Sequence, residues 1–154
     1  MMKLLDALPR EAVLAELHSR DKKGIIEELV MPVSRMAGLE YRDLVRLLME
    51  RERLGSTGIG GGIGIPHGKM KGLDRMLVGF GRSREGVDFD SIDGRPAHLF
   101  FVLITPEDSI DVHLRLLAQI SRMLKNDRFK DRLLTAADRD ELLRVIREEE
   151  LSET

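Results

Sequence analysis

The chain has 154 residues, of which 42% are hydrophobic and 34% charged, and its 25 basic and 27 acidic residues leave a net charge of −2. This balance is typical of a globular domain and provides no basic surplus for binding nucleic acid. Because the chain has no cysteine, disulfides, thiolate metal ligands and thiol nucleophiles are excluded. Asp6 interrupts the amino-terminal apolar stretch, and the longest later apolar run, 99–104, is too short to span a bilayer. We therefore expect a cytoplasmic protein without direct membrane insertion.

The first third of the chain predicts a strand and two helices. Residues 12–18 alternate loosely and favour a short strand, although a helix starting at Pro9 is a competing interpretation. Asp21 can cap a helix whose apolar positions repeat about every 3.6 residues, and Pro32 is expected to disturb or end that helix. A second amphipathic helix is predicted from about residue 40 to residue 53.

A run rich in glycine follows. Gly55 stops the second helix, where a left-handed cap is expected, and begins the segment Gly-Ser-Thr-Gly-Ile-Gly-Gly-Gly-Ile-Gly-Ile-Pro-His-Gly-Lys, which ends at Lys69. Residues 63–65 alternate as a short strand within it. So many glycines cost backbone entropy, which makes sense where a chain needs unusual backbone angles or approaches something closely. The segment is therefore predicted to be a functional site, and His67, directly after Pro66, is the residue best suited to chemistry.

The remaining elements alternate between strands and helices. Residues 76–80 and 100–104 favour buried strands, and Asp93-Gly94 marks a turn between them. Ser109 is a natural cap for the next helix. Further helical patterns cover residues 127–135 and 139–149. Helices intermixed with short strands, without a repeat or a linker, predict a single α/β domain over residues 1–154, with a mixed β-sheet flanked by helices on both sides.

Several familiar sites do not fit the glycine-rich segment. A Walker phosphate loop would need glycine at position 63 and serine or threonine at position 70, where Ile63 and Met70 stand, and no register gives G-x-G-x-x-G. The histidines at positions 18, 67, 98 and 113 include no pair four residues apart, so zinc is only a minor possibility and we expect no metal site. A serine hydrolase is disfavoured, because G-x-S-x-G is absent.

Histidine itself remains as the nucleophile. A neutral imidazole offers a free ring nitrogen near pH 7, because its unperturbed pKa is about 6.5. Phosphorus is a suitable electrophile, since phosphoryl transfer depends mainly on positioning and on donors for the phosphoryl oxygens, which glycine N–H groups can provide. We therefore predict that His67 is phosphorylated. The candidate phosphate-binding loop comprises Ser56, Thr57, Gly58, Gly60 and Gly68, with the first two also interpreted as ordinary hydrogen-bonding loop residues.

Two residues are candidates for supporting a phosphoryl group. His113 lies in the first turns of its helix and could bring a proton or a positive charge, although a hydrogen-bonded core histidine is the alternative. Its predicted inward face also carries Ile110, Leu114 and Leu117. Arg51 could bind phosphate as a forked donor, or it could be an ordinary cation at a helix end. His18 and His98 have no motif around them and are interpreted as structural.

The segment from Arg51 to Lys69, with Ile-Pro-His-Gly in its glycine context, and Val-His-Leu-Arg-Leu-Leu-Ala-Gln-Ile-Ser at 112–121 resemble a known family. They are similar to the fructose/mannitol-type enzyme IIA domain of the bacterial phosphoenolpyruvate-dependent phosphotransferase system. The Gly-Ser-Thr-Gly-Ile-Gly loop most resembles the nitrogen-regulatory members. Two positions depart from the family pattern. Gly64 stands where the family usually has alanine, which should be tolerated near a strand, and Gly61 stands where mannitol-type members have an acid, which disfavours mannitol transport.

The resemblance implies that His67 receives a phosphoryl group from a histidine-containing phosphocarrier protein, with His113 and Arg51 as the supporting pair. It implies a phosphotransferase component, and no nucleotide, metal or other cofactor. Because the sequence contains no IIB domain, we favour a regulatory phosphoprotein whose phosphorylation state changes which target proteins it binds. The alternatives are a sugar-specific, fructose-like enzyme IIA that passes the phosphoryl group to a IIB component, and a non-phosphorylated regulatory binding module.

Overall fold

The structure, a computed structural model, describes residues 3–153. Within these residues the α-helices are α1 (Lys22–Ala37), α2 (Tyr41–Arg53), α3 (Ile110–Leu124), α4 (Asp127–Thr135) and α5 (Arg139–Ser152). The strands are β1 (Val13–Leu14), β2 (Gly58–Gly60), β3 (Ile63–Gly64), β4 (His67–Met70), β5 (Leu77–Val87) and β6 (Ala97–Pro106). Two short 3₁₀ turns, Leu4–Ala7 and Arg10–Ala12, precede β1.

The strands form one mixed sheet. Their order is β1-β5-β6-β3-β2, and β4 also pairs with β6. The long strands β5 and β6 are antiparallel, with Phe80 opposite Phe101, whereas β1 runs parallel to β5 and both β3 and β4 run parallel to β6. The mixed sheet predicted from the sequence is confirmed.

Alternate residues of β5 face two helical layers. A Cβ atom added to Gly81 would lie 2.8 Å from the Leu29 side chain, so this face of the sheet packs against α1. The opposite face carries the buried Arg82, whose Nη1 donates to the carbonyls of Leu133 (2.8 Å) and Ala136 (2.6 Å) at the end of α4. Carbonyl oxygens at the negative end of a helix thus hold this guanidinium. Helices therefore cover both faces of the sheet, as predicted.

Strands β3 and β4 behave as one strand interrupted beside β6. Gly64 lies opposite Phe100, and the pairing resumes with His67 opposite Leu103. Pro66, between them, has no N–H to donate, although its carbonyl accepts from the Leu103 N–H at 3.1 Å. The sequence predicted a strand only over residues 63–65, whereas the structure shows that His67 begins a second strand.

Helix α1 is longer than the sequence suggested. Asp21 caps it as predicted, accepting from the Gly24 N–H at 2.8 Å. Pro32, however, lies inside the helix and does not end it. Val33, beyond the proline, is buried, and the burial of this face offsets the lost hydrogen bond. The helix ends at Gly38, which has the left-handed conformation with φ 68°.

Other boundaries differ for local reasons. The strand expected over 12–18 shortens to β1, after a 3₁₀ turn capped by Pro9. Gly55 has a φ of 148°, a value that glycine can adopt. This conformation differs from the left-handed helical one that was expected for a cap there. Both long strands extend beyond their predicted apolar runs, because β5 pairs with β6 again at Val87 after an irregularity and β4 pairs with β6 as far as Pro106. The turn at Asp93-Gly94 and the last two helices are confirmed.

An aromatic pair leaves no room for a side chain at position 64. A Cβ atom on Gly64 would lie 2.8 Å from Cδ1 of Phe100 and 3.3 Å from Cδ2 of Phe89. The two phenylalanine rings meet edge to face, with centroids 5.1 Å apart. Both rings are buried, so the space that an alanine methyl group would need is already filled.

We predict that Gly64→Ala lowers the free energy of unfolding by about 1–3 kcal/mol, because the added methyl group overpacks the core. Urea unfolding measures this change. Introducing the same substitution into a Phe100→Leu background should cost less, since leucine leaves room for the methyl group. Equal costs in both backgrounds would contradict the packing explanation.

Candidate active site

Two histidines from distant parts of the chain form the centre of the site. His67 begins β4 and His113 lies in the first turn of α3, and their ring centroids are 5.5 Å apart with the planes inclined by 55°. Strand β6 connects them, because its Leu103 pairs with His67 and its Thr105 contacts the ring of His113. The structure therefore brings together the two histidines that the sequence singled out.

The backbone selects which nitrogen of His67 carries the proton. Its Nδ1 lies 2.7 Å from the carbonyl oxygen of Ile65. A carbonyl can only accept a hydrogen bond, so Nδ1 holds the proton and Nε2 keeps its lone pair. Burial lowers the pKa of His67 from its usual value, against the opposing effect of the Ile65 hydrogen bond. The ring is therefore neutral at pH 7, and Nε2 is the nitrogen that keeps its lone pair.

His113 is neutral and is fixed by a threonine. Its side chain is buried, with Nδ1 2.7 Å from the hydroxyl of the equally buried Thr105. Burial, together with the nearby His67 and Lys69, lowers the pKa of His113 to about 4. The sequence analysis expected a proton or a positive charge from His113, and the structure shows that at pH 7 only an N–H hydrogen is available.

The inward face of α3 differs from the predicted one. Ile110 and Leu114, which were expected to lie beside His113 on the buried face, are exposed. Leu116 and Ile120 are the buried residues that accompany His113. The predicted buried face of α3 was therefore wrong at Ile110 and Leu114, although His113 itself is buried as predicted.

Two cations act electrostatically on the histidine pair. Arg51, in the last turn of α2, donates from Nη1 to the Gly55 carbonyl at 3.0 Å, and its charge lowers the pKa of His67. Lys69, which follows on β4, lowers the pKa of both His67 and His113. Two neutral imidazoles beside two cations make the site electrostatically suited to an anion.

The hydroxyl groups of the candidate phosphate loop already have protein partners. Ser56 Oγ donates to the Phe89 carbonyl at 2.7 Å and accepts from the Gly58 N–H at 3.0 Å. The Thr57 hydroxyl donates to the buried carboxylate of Glu52. Both residues therefore act as hydrogen-bonding loop residues, which is one of the two interpretations made from the sequence. Their contact with phosphate stays a prediction.

Backbone conformation and close packing explain three glycines of that loop. Gly60 has a φ of 92°, a conformation that side chains rarely permit. A Cβ atom on Gly58 would lie 2.5 Å from Oγ of Ser91, and one on Gly68 would lie 3.1 Å from the Leu47 side chain of α2. Close packing thus accounts for these two glycines, and their roles toward phosphate also stay predictions.

Sequence reasoning missed three residues close to the site. Thr105 is a single hydroxyl-bearing residue that directly follows the apolar run of β6, and this isolated polarity was a usable signal. Lys69 closes the glycine-rich segment, two residues after His67, and this proximity was a usable signal. Glu52 is buried next to Arg51, and nothing in its charged sequence neighbourhood distinguished it.

The other two histidines lie outside the pair. His98 directs Nδ1 to the Ser83 carbonyl at 2.9 Å, and His18 is exposed. Within residues 3–153, no group of three or more histidine and acidic side chains is arranged to hold a metal ion. In the same part of the chain, no helix has both the length and the apolar character needed to cross a membrane.

Comparison with known proteins identifies the family. Residues 6–149 match the family described as phosphoenolpyruvate-dependent sugar phosphotransferase system, EIIA 2. The chain belongs to this family. The nitrogen regulatory protein of Bradyrhizobium diazoefficiens is 34% identical over 145 residues, which cover 94% of this chain and 95% of that protein. The fructose-specific EIIA component of Haloferax volcanii is 36% identical over 141 residues, which cover 91% and 92%.

Solved structures of EIIA proteins share the fold. The nitrogen regulatory protein IIA-Ntr from Neisseria meningitidis superposes with a TM-score of 0.87 at 32% identity, over 92% of this chain and 97% of that one. The IIA mannitol structure from Escherichia coli, at 21% identity and a TM-score of 0.77, has the same fold, over 90% of this chain and 97% of that one. The fructose-specific EIIABC component of Bacillus subtilis is 34% identical, but the match spans 94% of this chain and only 23% of that protein.

The low pKa of His113 makes stability depend on pH. The folded state keeps this histidine neutral down to about pH 4, whereas the unfolded chain protonates it near pH 6.5. The unfolded state therefore binds more protons between these values, and stability is lost as the pH falls through this window. We predict a contribution of about 3 kcal/mol between pH 7 and pH 4.

Urea unfolding of wild type and His113→Gln at a series of pH values tests this. The stability difference between the two proteins should shrink as the pH falls, because glutamine does not titrate. A wild-type–His113→Gln difference that is constant from pH 7 to pH 4 would contradict the assignment.

Proposed function

We propose that this EIIA chain is a phosphoryl carrier and regulator of the phosphoenolpyruvate-dependent phosphotransferase system. It accepts a phosphoryl group on Nε2 of His67 from a histidine-containing phosphocarrier protein. The observation that carries this proposal is the hydrogen bond from His67 Nδ1 to the Ile65 carbonyl, beside the neutral His113. A half-buried imidazole with one nitrogen fixed as a donor has the other nitrogen free to attack phosphorus.

The transfer exchanges one N–P bond for another. The Nε2 lone pair of His67 forms a bond to phosphorus while the N–P bond of the donor phosphohistidine breaks. A donor ring protonated at its other nitrogen leaves as neutral imidazole and keeps the electron pair of the broken bond. His67 then carries both the phosphoryl group and the Nδ1 proton, and the Ile65 carbonyl stabilises the positive ring. Because similar bonds form and break, the step is reversible and suits a carrier.

Three residues stabilise the phosphoryl oxygens in this proposal. In this proposal the Thr105 hydroxyl, 2.7 Å from Nδ1 of His113, donates its hydrogen there, so that the proton of the neutral His113 ring lies on Nε2 and can be donated to a phosphoryl oxygen. Arg51 and Lys69 supply positive charge near the pair. Backbone N–H groups of the glycine-rich loop add further donors.

Exposed apolar side chains next to these residues suit docking of a protein donor. Leu54, directly after the helix that carries Arg51, is 85% exposed. Ile110 and Leu114, on the helix that carries His113, are 50% and 59% exposed. Water-exposed leucine and isoleucine around a reactive site favour contact with a partner surface. The same surface serves the donor and the partners that read the phosphorylation state.

We favour a regulatory role in the cytoplasm, in which the phosphorylation state changes the affinity for target proteins. The glycine-rich loop resembles that of the nitrogen-regulatory members. The match to a nitrogen regulatory protein also covers nearly the full length of both chains. The second candidate is a fructose-like enzyme IIA that passes the phosphoryl group to a IIB component, which the fructose-specific EIIA relative supports. Rapid loss of the phosphoryl group to a fructose IIB protein would favour the second role, and its retention would favour the first.

We predict that wild type gains one phosphoryl group, about 80 Da, when it is incubated with phosphoenolpyruvate, enzyme I and the phosphocarrier protein. His67→Gln should gain none, because glutamine has no nucleophilic ring nitrogen. Intact-mass spectrometry at neutral or basic pH measures both, since phosphohistidine is acid-labile. His98→Gln serves as the control and should be phosphorylated. Full phosphorylation of His67→Gln would contradict the proposal.

We also predict that phosphorylation raises the pKa of His113 above about 4, by one pH unit or more, because the phosphoryl group places negative charge beside the ring. Histidine-resolved NMR titration of the free and phosphorylated protein measures this pKa. His113→Ala should slow transfer into the site about a hundredfold, through the loss of one oxyanion donor. An unchanged His113 pKa together with unchanged transfer would return His113 to a purely structural role.

A further inference from the structure

A buried acid lies beneath the glycine-rich loop. Glu52, in the last turn of α2, is 7% exposed. Its carboxylate accepts two hydrogen bonds and forms one salt bridge. Its Oε1 accepts from the Thr57 N–H at 3.1 Å and contacts Nζ of Lys22 at 2.9 Å, and its Oε2 accepts from the Thr57 hydroxyl. A carboxylate taken out of water is costly unless it is paired in this way, so Glu52 holds Thr57 from two directions.

Thr57 in turn holds the residue that orients the nucleophile. The Thr57 carbonyl accepts from the Ile65 N–H at 3.0 Å. The Ile65 carbonyl then accepts from Nδ1 of His67 at 2.7 Å. A continuous series of hydrogen bonds therefore leads from the Glu52 carboxylate through two backbone residues to the imidazole.

We propose that Glu52 and Thr57 are positioning residues for His67: the buried carboxylate fixes Thr57, Thr57 fixes Ile65, and the Ile65 carbonyl keeps the imidazole in the form with a free Nε2. The proposal rests on the proposed function, because a free Nε2 matters only if His67 is the phosphoryl acceptor. Neither residue contacts the reacting atoms. Each acts on the chemistry through the geometry of Ile65.

The surroundings of Glu52 explain why a carboxylate is needed. Lys22 reaches it from α1, contacts Asp90 at 3.3 Å and lies 4.9 Å above the Phe89 ring. The ammonium group therefore needs a buried anion, and the Thr57 N–H and hydroxyl need an acceptor. A carboxylate satisfies all three donors at once, whereas an amide would turn a donor toward one of them.

The charge of Glu52 also affects the pKa of the proposed nucleophile, His67. Glu52 raises the pKa of His67, against the lowering by burial, Arg51 and Lys69. Loss of the Glu52 charge would leave the imidazole surrounded by cations and would lower its basicity. A weakened hold on Ile65 would also let the proton move to Nε2, and that nitrogen would then have no lone pair with which to attack phosphorus.

The test compares four variants with wild type, each labelled with ¹⁵N-histidine. Glu52→Gln removes the charge, and Thr57→Val removes the hydroxyl with little change of volume. Thr57→Ser restores the hydroxyl, and Glu50→Gln neutralises an exposed acid of the same helix. Long-range ¹H–¹⁵N spectra report which ring nitrogen of His67 is protonated, and the amide spectra show whether each variant is folded. The rate of phosphorylation by phosphoramidate, a small donor that needs no docking surface, is measured in parallel.

Wild type and Glu50→Gln should show His67 protonated at Nδ1 and equal phosphorylation rates, and Thr57→Ser should restore the Nδ1 protonation that Thr57→Val weakens. In Glu52→Gln the proton should be shared between the two nitrogens and the rate should fall about tenfold or more, the effect of one charged hydrogen bond. Thr57→Val should show a smaller loss in the same direction. If Glu52→Gln does not fold, the comparison of Thr57→Val with Thr57→Ser decides the question. Folded Glu52→Gln and Thr57→Val proteins with the wild-type tautomer and rate would overturn the proposal.

The two proposals fail in distinguishable ways. If wild-type His67 is phosphorylated by no donor, the proposed carrier function is wrong. The tautomer measurement in the unphosphorylated variants still shows whether Glu52 and Thr57 position the ring. If wild type is phosphorylated and the variants keep both tautomer and rate, the carrier function stands and the positioning role is wrong.

Discussion

The hydrogen bond from His67 Nδ1 to the Ile65 carbonyl determines the chemistry available at this site. It exists because the strand beside β6 is interrupted at Ile65 and Pro66, so that a backbone carbonyl faces the side chain two residues later. The glycine-rich segment makes this geometry possible. Gly61 and Gly62 turn with φ values of 66° and 82°, and the antiparallel return of β3 beside β2 brings the Ile65 N–H to Thr57. The entropy that these glycines cost is therefore used to shape the backbone around His67.

Burial keeps both histidines neutral, and this neutrality connects stability with function. A neutral His67 has a lone pair, and a neutral His113 donates an N–H without adding positive charge to the unphosphorylated site. In the proposed phosphorylated form, a dianionic group would be added near the charges of Arg51 and Lys69 and would change the charge presented to partners. Exposed apolar residues beside the histidines would let a partner sense that change directly. A carrier and a regulator can therefore share one site, and they differ in which protein approaches it.

Much of the fold was predictable from the sequence, because α2, α4 and α5 follow a clear helical period and the core strands are apolar. The motif around His67 was equally informative, since its glycines and proline are unusual. The errors occurred where tertiary contacts override local preference. Buried residues on both sides of Pro32 keep α1 continuous. The inward face of α3 was predicted wrongly because the apolar residues Ile110 and Leu114 are exposed. The roles of Glu52 and Thr105 depend on contacts across the fold that no local pattern contains.

The most direct test of this account is to determine which ring nitrogen of His67 carries the phosphoryl group. The protein is labelled with ¹⁵N-histidine and phosphorylated, and long-range ¹H–¹⁵N spectra with ³¹P coupling assign the bonded nitrogen. The account predicts phosphorylation at Nε2, with Nδ1 still protonated by its hydrogen bond to Ile65. Phosphorylation at Nδ1 would contradict the account, because the Ile65 carbonyl would then have no proton to accept and could not be the group that prepares the nucleophile.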